Sequence, residues 1–399
     1  MTLENKSLSL KEKFALLTQT SKGTEMGRLL RRFWHPVALS KDLENGKTLP
    51  LRVLSEDLTL YRGEGGSVHL VDGFCKHRRT HLHTGSVEGE TIRCIYHGWR
   101  YAANGQCVER PAENELEVPA ICKIAGYPTF EYCGLFFAYM GEGKAPDFEL
   151  PRKDPYERKK AQIVVLKETW NTNWFQIAEN QQDGVHISFL HRALRDGPFS
   201  AAVTSVVPRL EHDETESGIE QRATRAKNNV RIGNWTFPNN SHVVVPGLIP
   251  SDPWMDNGLW AVPHDDVSTM RFTIYVLRET TDEGAIRRFH DYFNEFGNPI
   301  YQCETYRDEL MLQRKGPDER DFLAGLITAQ DFIGIAGQGP IADRENEMLG
   351  QSDKGIMLLR RIFLRELDAL RNGHPNKIWR KRVSLSQLPT QPGQATYVE

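Results

Sequence analysis

Apolar residues recur at helical spacing near the N-terminus of the chain and then give way to short runs of another kind. Between residues 9 and 34 they fall three and four positions apart, and a break near Gly23 predicts two short helices rather than one. From about Trp34 to Met140 the apolar runs are short and are separated by Gly, Asp and Asn, which indicates a small all-β module. Gly, Pro, Lys and Asp are concentrated over 141–155, and we interpret this stretch as a linker.

Beyond the linker, strand-like runs are mixed with patterns typical of helices. The last pattern predicts a helix over 353–372, with apolar residues on one broad face and Gly373 as its stop. We therefore predict an α+β fold in which an antiparallel sheet is wrapped by helices in a helix-grip-like arrangement. The predicted strands include 162–169, 241–245 and 271–277, and the other predicted helices are 171–194 and 284–296.

The composition is that of an ordinary globular chain. Of its 399 residues 39% are hydrophobic and 26% are charged, so disorder is not expected, and the length suggests about two or three structural units. The net charge of −3 gives no reason to expect nucleic acid or an anionic membrane as a partner. No apolar run approaches the roughly 20 residues that span a bilayer, and no secretory signal is evident. The six cysteines suggest no disulfide framework, so we expect a cytoplasmic protein.

Two short phrases supply two cysteines and two histidines. They are Cys75-Lys76-His77 and Cys94-Ile95-Tyr96-His97, with sixteen residues between them. Two thiolates and two imidazoles are the ligands of a Rieske [2Fe–2S] cluster, in which both histidines bind the same iron and raise the reduction potential. The same residues could instead close a tetrahedral zinc site. The phrase that follows, Gly98-Trp99-Arg100-Tyr101, resembles the second cluster loop of Rieske proteins and favours the cluster.

A second group of potential ligands lies between Glu179 and His191. His186 and His191, with carboxylates nearby, suggest the 2-His-1-carboxylate site of non-haem Fe(II) oxygenases, although two histidines on an amphipathic helix are more often core or surface residues. On an ideal helix these histidines lie about 140° apart, so both can bind one ion only where the helix is distorted. Asp183 shares a helix face with His186 and is placed to hydrogen-bond its ring.

The order of these motifs, CxH and CxxH followed by DxxHxxxxH, resembles the α subunit of Rieske non-haem iron oxygenases, which hydroxylate aromatic rings or remove O-methyl groups. The resemblance spans nearly the whole chain and implies that His186 and His191 bind a mononuclear iron. Asp183 takes the place of the family's bridging aspartate, which links a cluster histidine to an iron histidine across a subunit boundary. The phrase Gln330-Asp331-Phe332 is similar to the phthalate-dioxygenase-like branch and implies Asp331 as the third ligand. The competing carboxylates are Asp343, Glu347 and Asp353.

The resemblance also implies a division of the chain into three parts. Residues 1–33 are expected to form a helical segment that packs on the catalytic domain. Residues 34–145 are expected to form the Rieske [2Fe–2S] domain, and residues 146–399 the catalytic domain with the mononuclear iron.

The activity implied by the resemblance is that of a terminal oxygenase of class EC 1.14. Each cluster would serve the iron of the next subunit, so we expect a homotrimer or a pair of stacked trimers. No GxGxxG motif follows a strand, and a separate NAD(P)H-dependent reductase, with or without a ferredoxin, is expected to bring the electrons. Two alternatives stay open from the residues alone. One is a Rieske electron-transfer protein without oxygenase activity, and the other is a zinc-stabilised ligand-binding protein.

The expected substrate is an aromatic compound that carries a carboxylate or a methoxy group. For most of the residues that could contact it, an ordinary core or surface position is the commoner alternative. The candidate aromatic-pocket residues are Trp235, Phe237, His242, Trp254, Trp260 and Phe272, and the candidate carboxylate-binding residues are Arg192, Arg195, Arg222, Arg225 and Arg231.

Overall fold

The computed structural model describes residues 8–113, 117–148, 156, 160–192, 204, 206–226, 229–295 and 326–379. The chain divides into two compact units. The smaller unit comprises Thr20–Phe148 and Val262–Asp265, and the larger unit comprises Met1–Gln19, Glu149–Ala261 and Asp266–Glu399. The three-part division with bounds at residues 33 and 145 stays a prediction.

The regular elements are numbered in chain order. The helices are α1 (Leu10–Thr18), α2 (Glu25–Leu30), α3 (Trp174–Asn180), α4 (His186–Leu190), α5 (Glu283–Glu295), α6 (Leu326–Ala336) and α7 (Lys354–Arg371). The first strands are β1 (Trp34–Leu39), β2 (Thr48–Val53), β3 (Glu56–Arg62), β4 (Val68–Asp72), β5 (Ser86–Glu88), β6 (Thr91–Arg93), β7 (Arg100–Tyr101), β8 (Cys107–Glu109), β9 (Gly126–Tyr127), β10 (Thr129–Tyr132) and β11 (Leu135–Tyr139). The later strands are β12 (Gln162–Trp170), β13 (Arg209–Glu214), β14 (Gly218–Ala226), β15 (Asn229–Thr236), β16 (Asn240–Val245), β17 (Met255–Pro263) and β18 (Thr269–Leu277).

The two N-terminal helices are capped separately, which explains the break that the sequence predicts near Gly23. Ser9 and Glu12 form a reciprocal capping box at the start of α1, in which the Ser9 hydroxyl accepts the Glu12 amide proton. Thr24 caps α2 by accepting the amide proton of Gly27 at 3.1 Å. The prediction of two short helices is therefore confirmed.

Strands dominate the smaller unit, as the short apolar runs predict. They form three antiparallel sheets with the strand orders β1-β11-β10, β2-β3-β4-β9 and β5-β6-β7-β8. Every residue of β11 is buried. A compact core of buried residues joins Leu82, Ile92 and Tyr101 to Cys75 and Cys94, so the two cysteine phrases are anchored from inside the unit.

One seven-stranded sheet forms the centre of the larger unit, in the order β12-β18-β17-β16-β15-β14-β13. Helices α3 and α6 pack on one face of it, where Ile177 and Phe332 join Trp170 and Leu259 in a buried cluster. Helix α5 packs on the same sheet through a second cluster that includes Phe289. Helix α7 contacts α1, α3 and β13. The predicted antiparallel sheet wrapped by helices is confirmed.

The prediction of one helix over 171–194 is wrong in one respect that matters for the site. Two helices, α3 and α4, replace it, and the chain between them turns at Asp183. Its carboxylate Oδ1 accepts the amide protons of Val185 and His186 at 2.9 and 3.3 Å, which provides the backbone with partners outside a continuous helix. Apolar periodicity does not reveal such a local competition.

The long C-terminal helix ends close to where the sequence places its stop. Helix α7 is followed by Gly373 with φ of +69°, a left-handed conformation that glycine adopts at low cost. Among the residues that the structure describes, no helix is both long enough and apolar enough to cross a membrane.

Candidate metal centres

Two loops of the smaller unit present the cysteine and histidine phrases, and they share one backbone pattern. The amide of Cys75 donates to the carbonyl of Thr80, five residues on, and Arg79 donates back to the carbonyl of Cys75. In the second loop Cys94 and Gly98 make the same pair of bonds. The fifth residue of each turn has a positive φ, +59° at Arg79 and +72° at Gly98. Both phrases are thus held in matching tight turns.

The side chains of these phrases separate into an inner pair and an outer pair. The thiols of Cys75 and Cys94 are buried, whereas His77 is exposed and His97 is half-buried. Burial raises the pKa of the Cys94 thiol, and the neighbouring Cys75 raises it further. The rings of His77 and His97 have centroids 4.5 Å apart, and His77 stacks on Trp99 at 4.8 Å. Two sulfurs inside and two imidazoles outside match the donor set of a Rieske cluster.

Tyr101 is a buried neighbour of the inner pair. Its hydroxyl oxygen accepts the amide proton of Lys76 at 3.1 Å and lies 3.2 Å from Sγ of Cys75. Because the oxygen is already an acceptor, its own proton is available to the sulfur. Donors to a cluster sulfur stabilise the more negative, reduced state.

In the larger unit the structure brings together His186, His191 and Asp331. Oδ1 of Asp331 lies 3.2 Å from Nε2 of His191 and 3.6 Å from Nε2 of His186. One potential ligand atom from each residue falls within 4.8 Å of the other two. Among the described residues no other group of three or more histidine, cysteine, aspartate or glutamate side chains converges in this way.

The end of helix α4 solves the spacing problem of the two histidines. His186 is the first residue of α4, and His191 lies just beyond its end with φ of −99° and ψ of 18°. This backbone departs from the helical values, so the ring of His191 is not held at its ideal helical direction. The distortion that the sequence requires is therefore present.

Each histidine has a polar neighbour on the ring nitrogen that faces away from Asp331. Oε1 of Gln330 lies 2.9 Å from Nδ1 of His191, and both residues are buried. Oδ2 of Asp183 lies 3.6 Å from Nδ1 of His186, which is an ion-pair distance. Burial opposes ionisation of Asp183, but its interactions with His186 outweigh burial and lower the pKa of the carboxyl. The acceptor on Nδ1 of His191 leaves its Nε2 free as a metal ligand.

The electrostatics at Asp331 favour a carboxylate. Burial would raise its pKa, but its electrostatic interactions with His191, His186 and Arg271 outweigh burial and lower it. Its Oδ1 is buried and has no hydrogen-bond donor within the described part of the chain. Two imidazole nitrogens and one carboxylate oxygen, turned toward one point, are the donor set that suits Fe(II) with open positions. The residues present therefore fit a mononuclear iron.

The competing carboxylates have other partners. Asp343 accepts a hydrogen bond from the Asn346 amide at 2.7 Å, and Asp353 accepts the Gly350 amide proton at 2.6 Å. Glu347 pairs with Arg360.

Comparison with known proteins agrees with this geometry. The family model described as Rieske [2Fe-2S] domain matches residues 33–128, and the one described as LigXa C-terminal domain like matches residues 138–387. The 5,5'-dehydrodivanillate O-demethylase oxygenase subunit of Sphingobium sp. is 31% identical, over 90% of this chain and 81% of the relative. The phenoxybenzoate dioxygenase subunit alpha of Ectopseudomonas oleovorans is 30% identical, over 90% and 85%.

A solved structure has the same fold. It is the reduced complex between oxygenase and ferredoxin in carbazole 1,9a-dioxygenase, whose matching chain aligns with a TM-score of 0.61 at 19% identity, over 92% of each chain. The fold and the matches define the class, a Rieske-type oxygenase of EC 1.14. The chain belongs to the family of Rieske oxygenase α subunits, with a Rieske [2Fe–2S] cluster and a mononuclear iron as cofactors. These matches support an oxygenase over the electron-transfer and zinc-binding alternatives.

Sequence reasoning missed the roles of three neighbours of these centres. Tyr101 and Gln330 lie within motifs that the sequence analysis identifies, directly next to Arg100 and Asp331. Their position in these motifs was the signal from which their roles could have been inferred. Arg271, close enough to Asp331 to lower its pKa, is absent from the candidate arginines. Of those candidates, Arg222 pairs with Asp213 on the exposed edge of the sheet, and Arg195 lies outside the described residues.

Proposed function

We propose that this oxygenase hydroxylates or oxidatively O-demethylates an aromatic substrate that carries a methoxy or carboxylate group. The observation that carries the proposal is the convergence of His186, His191 and Asp331 beside Asp183 in a member of this family. The similarity to a dehydrodivanillate O-demethylase and a phenoxybenzoate dioxygenase supports an aromatic substrate.

The site residues have separate tasks in this proposal. His186, His191 and Asp331 hold the mononuclear iron, and Gln330 keeps the His191 ring turned so that Nε2 faces the metal. When bound, the cluster supplies electrons and the mononuclear iron supplies the chemistry of O2 activation. The proposed cluster ligands are Cys75, His77, Cys94 and His97.

Asp183 is the proposed electron bridge between subunits. Its side chain is 29% exposed although it touches His186, so it can contact a second molecule while it holds its own histidine. The exposed ring of His77 and the half-buried ring of His97 are available at the surface of the smaller unit. Each cluster would then serve the iron of a neighbour, and a head-to-tail arrangement of this kind closes into a homotrimer, alone or stacked in pairs.

The electrons are proposed to come from a separate NAD(P)H-dependent reductase, directly or through a ferredoxin. The sequence lacks a GxGxxG motif after a strand, and the carbazole 1,9a-dioxygenase oxygenase is known in complex with a ferredoxin. The location proposed for the system is the cytoplasm.

A screen of O2 uptake tests the proposal. The purified chain, with a reductase, is offered aromatic acids and methoxyarenes one at a time. At least one compound should stimulate O2 uptake, and a demethylated methoxyarene should release formaldehyde in equal amount. The His186→Ala variant should keep the cluster spectrum and lose the uptake. Absence of substrate-dependent uptake across the panel, with both centres loaded, would count against the function.

A further inference from the structure

The turn that carries Asp183 is fastened to the sheet through the backbone carbonyl of Gln182. Gln182 is buried and follows the end of α3, where carbonyl groups no longer have helical partners. Its oxygen accepts a hydrogen bond from Nε2 of Gln221 at 2.9 Å, and Nε2 of His212 lies 3.1 Å from the same atom. Since Gln182 and Asp183 share one planar peptide unit, these contacts hold the backbone from which the Asp183 side chain projects.

The ring of His212 is neutral and carries its proton on the nitrogen that faces Gln182. Burial lowers the pKa of His212, so the ring holds a single proton at neutral pH. A carbonyl oxygen can only accept, so the contact with Gln182 requires this proton on Nε2. Nδ1 is buried and has no hydrogen-bond donor in the described part of the chain. The Gln182 carbonyl is therefore the acceptor that this ring serves.

His212 and Gln221 act on the turn from one place on the sheet. They are register partners on β13 and β14, and their Nε2 atoms lie 3.0 Å apart, so two donors converge on one oxygen. Gly184 packs against the same pair on the other side of Asp183, because a Cβ atom at Gly184 would lie 3.0 Å from Oε1 of Gln221. The strand pair thus contacts the chain both before and after Asp183.

Helix α7 covers another side of the His212 ring. Its second residue is Gly355, which is buried, and a methyl group at this position would overlap the ring. A larger residue here would push the ring away from the Gln182 carbonyl. Glycine therefore leaves His212 the room that its hydrogen bond needs.

We propose that His212 and Gln221 form a clamp that positions Asp183 for electron delivery to His186. This inference rests on the proposed bridging role of Asp183 and deepens it. Oδ1 of Asp183 accepts the amide protons of Val185 and His186, and Oδ2 lies 3.6 Å from Nδ1 of His186. Because Oδ1 is bonded within its own turn, the direction of the carboxylate follows the backbone that the clamp holds. His212 and Gln221 contact that backbone and are positioning residues.

Hydrogen exchange of the turn tests the clamp without any substrate. In the holoenzyme with His212→Leu, the amides of Val185 and His186 should exchange about 2–10-fold faster than in the wild type, the factor that loss of one hydrogen bond corresponds to. His212→Gln should restore the protection, because its amide nitrogen can replace the ring as donor. The matched control is His290→Leu. His290 is half-buried, its Nε2 lies 3.0 Å from Oε1 of Gln162, and its replacement should leave the turn unchanged.

Electron delivery is measured in the same proteins. The reduced holoenzyme is mixed with O2 and 3,4-dimethoxybenzoate, and reoxidation of the cluster is followed by stopped-flow absorbance. His212→Leu should slow reoxidation about 2–10-fold at unchanged iron content and unchanged affinity for the probe, and His212→Gln should restore the rate. A general loss of folding would instead lower iron content and probe affinity together with the rate.

Several outcomes would overturn the clamp. They are unchanged exchange in His212→Leu, no recovery in His212→Gln, or wild-type reoxidation in His212→Leu while Asp183→Asn is slow. If His212→Leu does not fold, Gly355→Ala replaces it, because the methyl group displaces the ring while both donors stay and alanine favours the helix. If 3,4-dimethoxybenzoate does not drive reoxidation in the wild type, the exchange result decides. Wild-type reoxidation in Asp183→Asn would refute the bridging role itself, and the clamp with it, which separates that failure from failure of the clamp alone.

Discussion

Gln330 and His191 are joined by a buried hydrogen bond in which Nδ1 of the ring donates to Oε1 of the amide at 2.9 Å. An amide oxygen can only accept, so the ring proton must sit on Nδ1 and the lone pair on Nε2. That lone pair is directed toward Asp331, whose Oδ1 lies 3.2 Å away. Gln330, which directly precedes the proposed ligand Asp331, thus sets the tautomer of the proposed ligand His191.

Removal of this acceptor should weaken the iron site without affecting the cluster. In Gln330→Leu we expect the Fe(II) affinity to fall about 10–100-fold, as is typical when the partner of a ligating histidine is lost. Competition with a chelator measures it, and the visible spectrum reports the cluster. Gln338→Leu, at an exposed position just after the same helix, is the control and should bind iron like the wild type. Equal iron affinity in both variants would contradict the role of Gln330.

Asp183→Asn should separate metal binding from electron delivery. The asparagine keeps the size of the side chain but not its charge, so both centres should stay largely occupied. Substrate-dependent reoxidation of the reduced cluster should slow strongly, because the bridge to His186 is weakened. Stopped-flow absorbance of the cluster measures this rate, and Asp213→Asn serves as a surface control. Wild-type reoxidation in Asp183→Asn would exclude the bridging role.

Tyr101→Phe should lower the reduction potential of the cluster. The hydroxyl lies 3.2 Å from Sγ of Cys75, and a net contribution of about 0.5–1.5 kcal/mol corresponds to about 20–60 mV for one electron. A redox titration followed by circular dichroism measures the change. Tyr61→Phe is the matched control, since Tyr61 is buried in the same core but donates to the Glu90 carbonyl. A shift of similar size in both variants would argue against a specific bond to the sulfur.

Glu179 is expected to stabilise the helix that leads to the iron ligands. It is buried and accepts hydrogen bonds from Arg344 at 2.7 Å and from Arg360 at 2.7 Å. Glu179→Ala leaves two buried guanidinium groups without this partner and should reduce the free energy of unfolding by about 3–5 kcal/mol. Urea unfolding followed by tryptophan fluorescence tests this. Glu211→Ala, from an exposed pair with Arg209, should cost less than about 1 kcal/mol, and comparable losses would refute the assignment.

The sequence predicts those parts of the fold that depend on local pattern. The broad apolar face of α7, the strands at β16 and β18 and the break near Gly23 follow from periodicity and capping, and all are present. The prediction of one helix over 171–194 is wrong because the Asp183 carboxylate accepts amide protons that a continuous helix would use. Periodicity does not encode this contact. The apolar pattern thus predicts which face is buried but not where a polar side chain interrupts a helix.

The site was predictable only where its residues stand in compact phrases. His186 and His191 share one phrase with Asp183, whereas the contact between His191 and Gln330 spans 139 positions and exists only in the folded chain. Glu168 and Arg271 form a buried ion pair although they are 103 positions apart. In the sequence each has only the pattern of an ordinary charged residue of a strand. Their burial as a pair depends on the register between β12 and β18, which the strand pattern alone does not fix.

The central claim is that one chain holds a Rieske cluster and a separate iron at His186, His191 and Asp331. Iron and acid-labile sulfide, assayed per chain in the wild type and in Asp331→Ala, test it most directly. The account predicts about three iron atoms and about two sulfides in the wild type, and about two of each in the variant, with the cluster spectrum intact. An unchanged iron content in Asp331→Ala, or loss of sulfide together with iron, would contradict it.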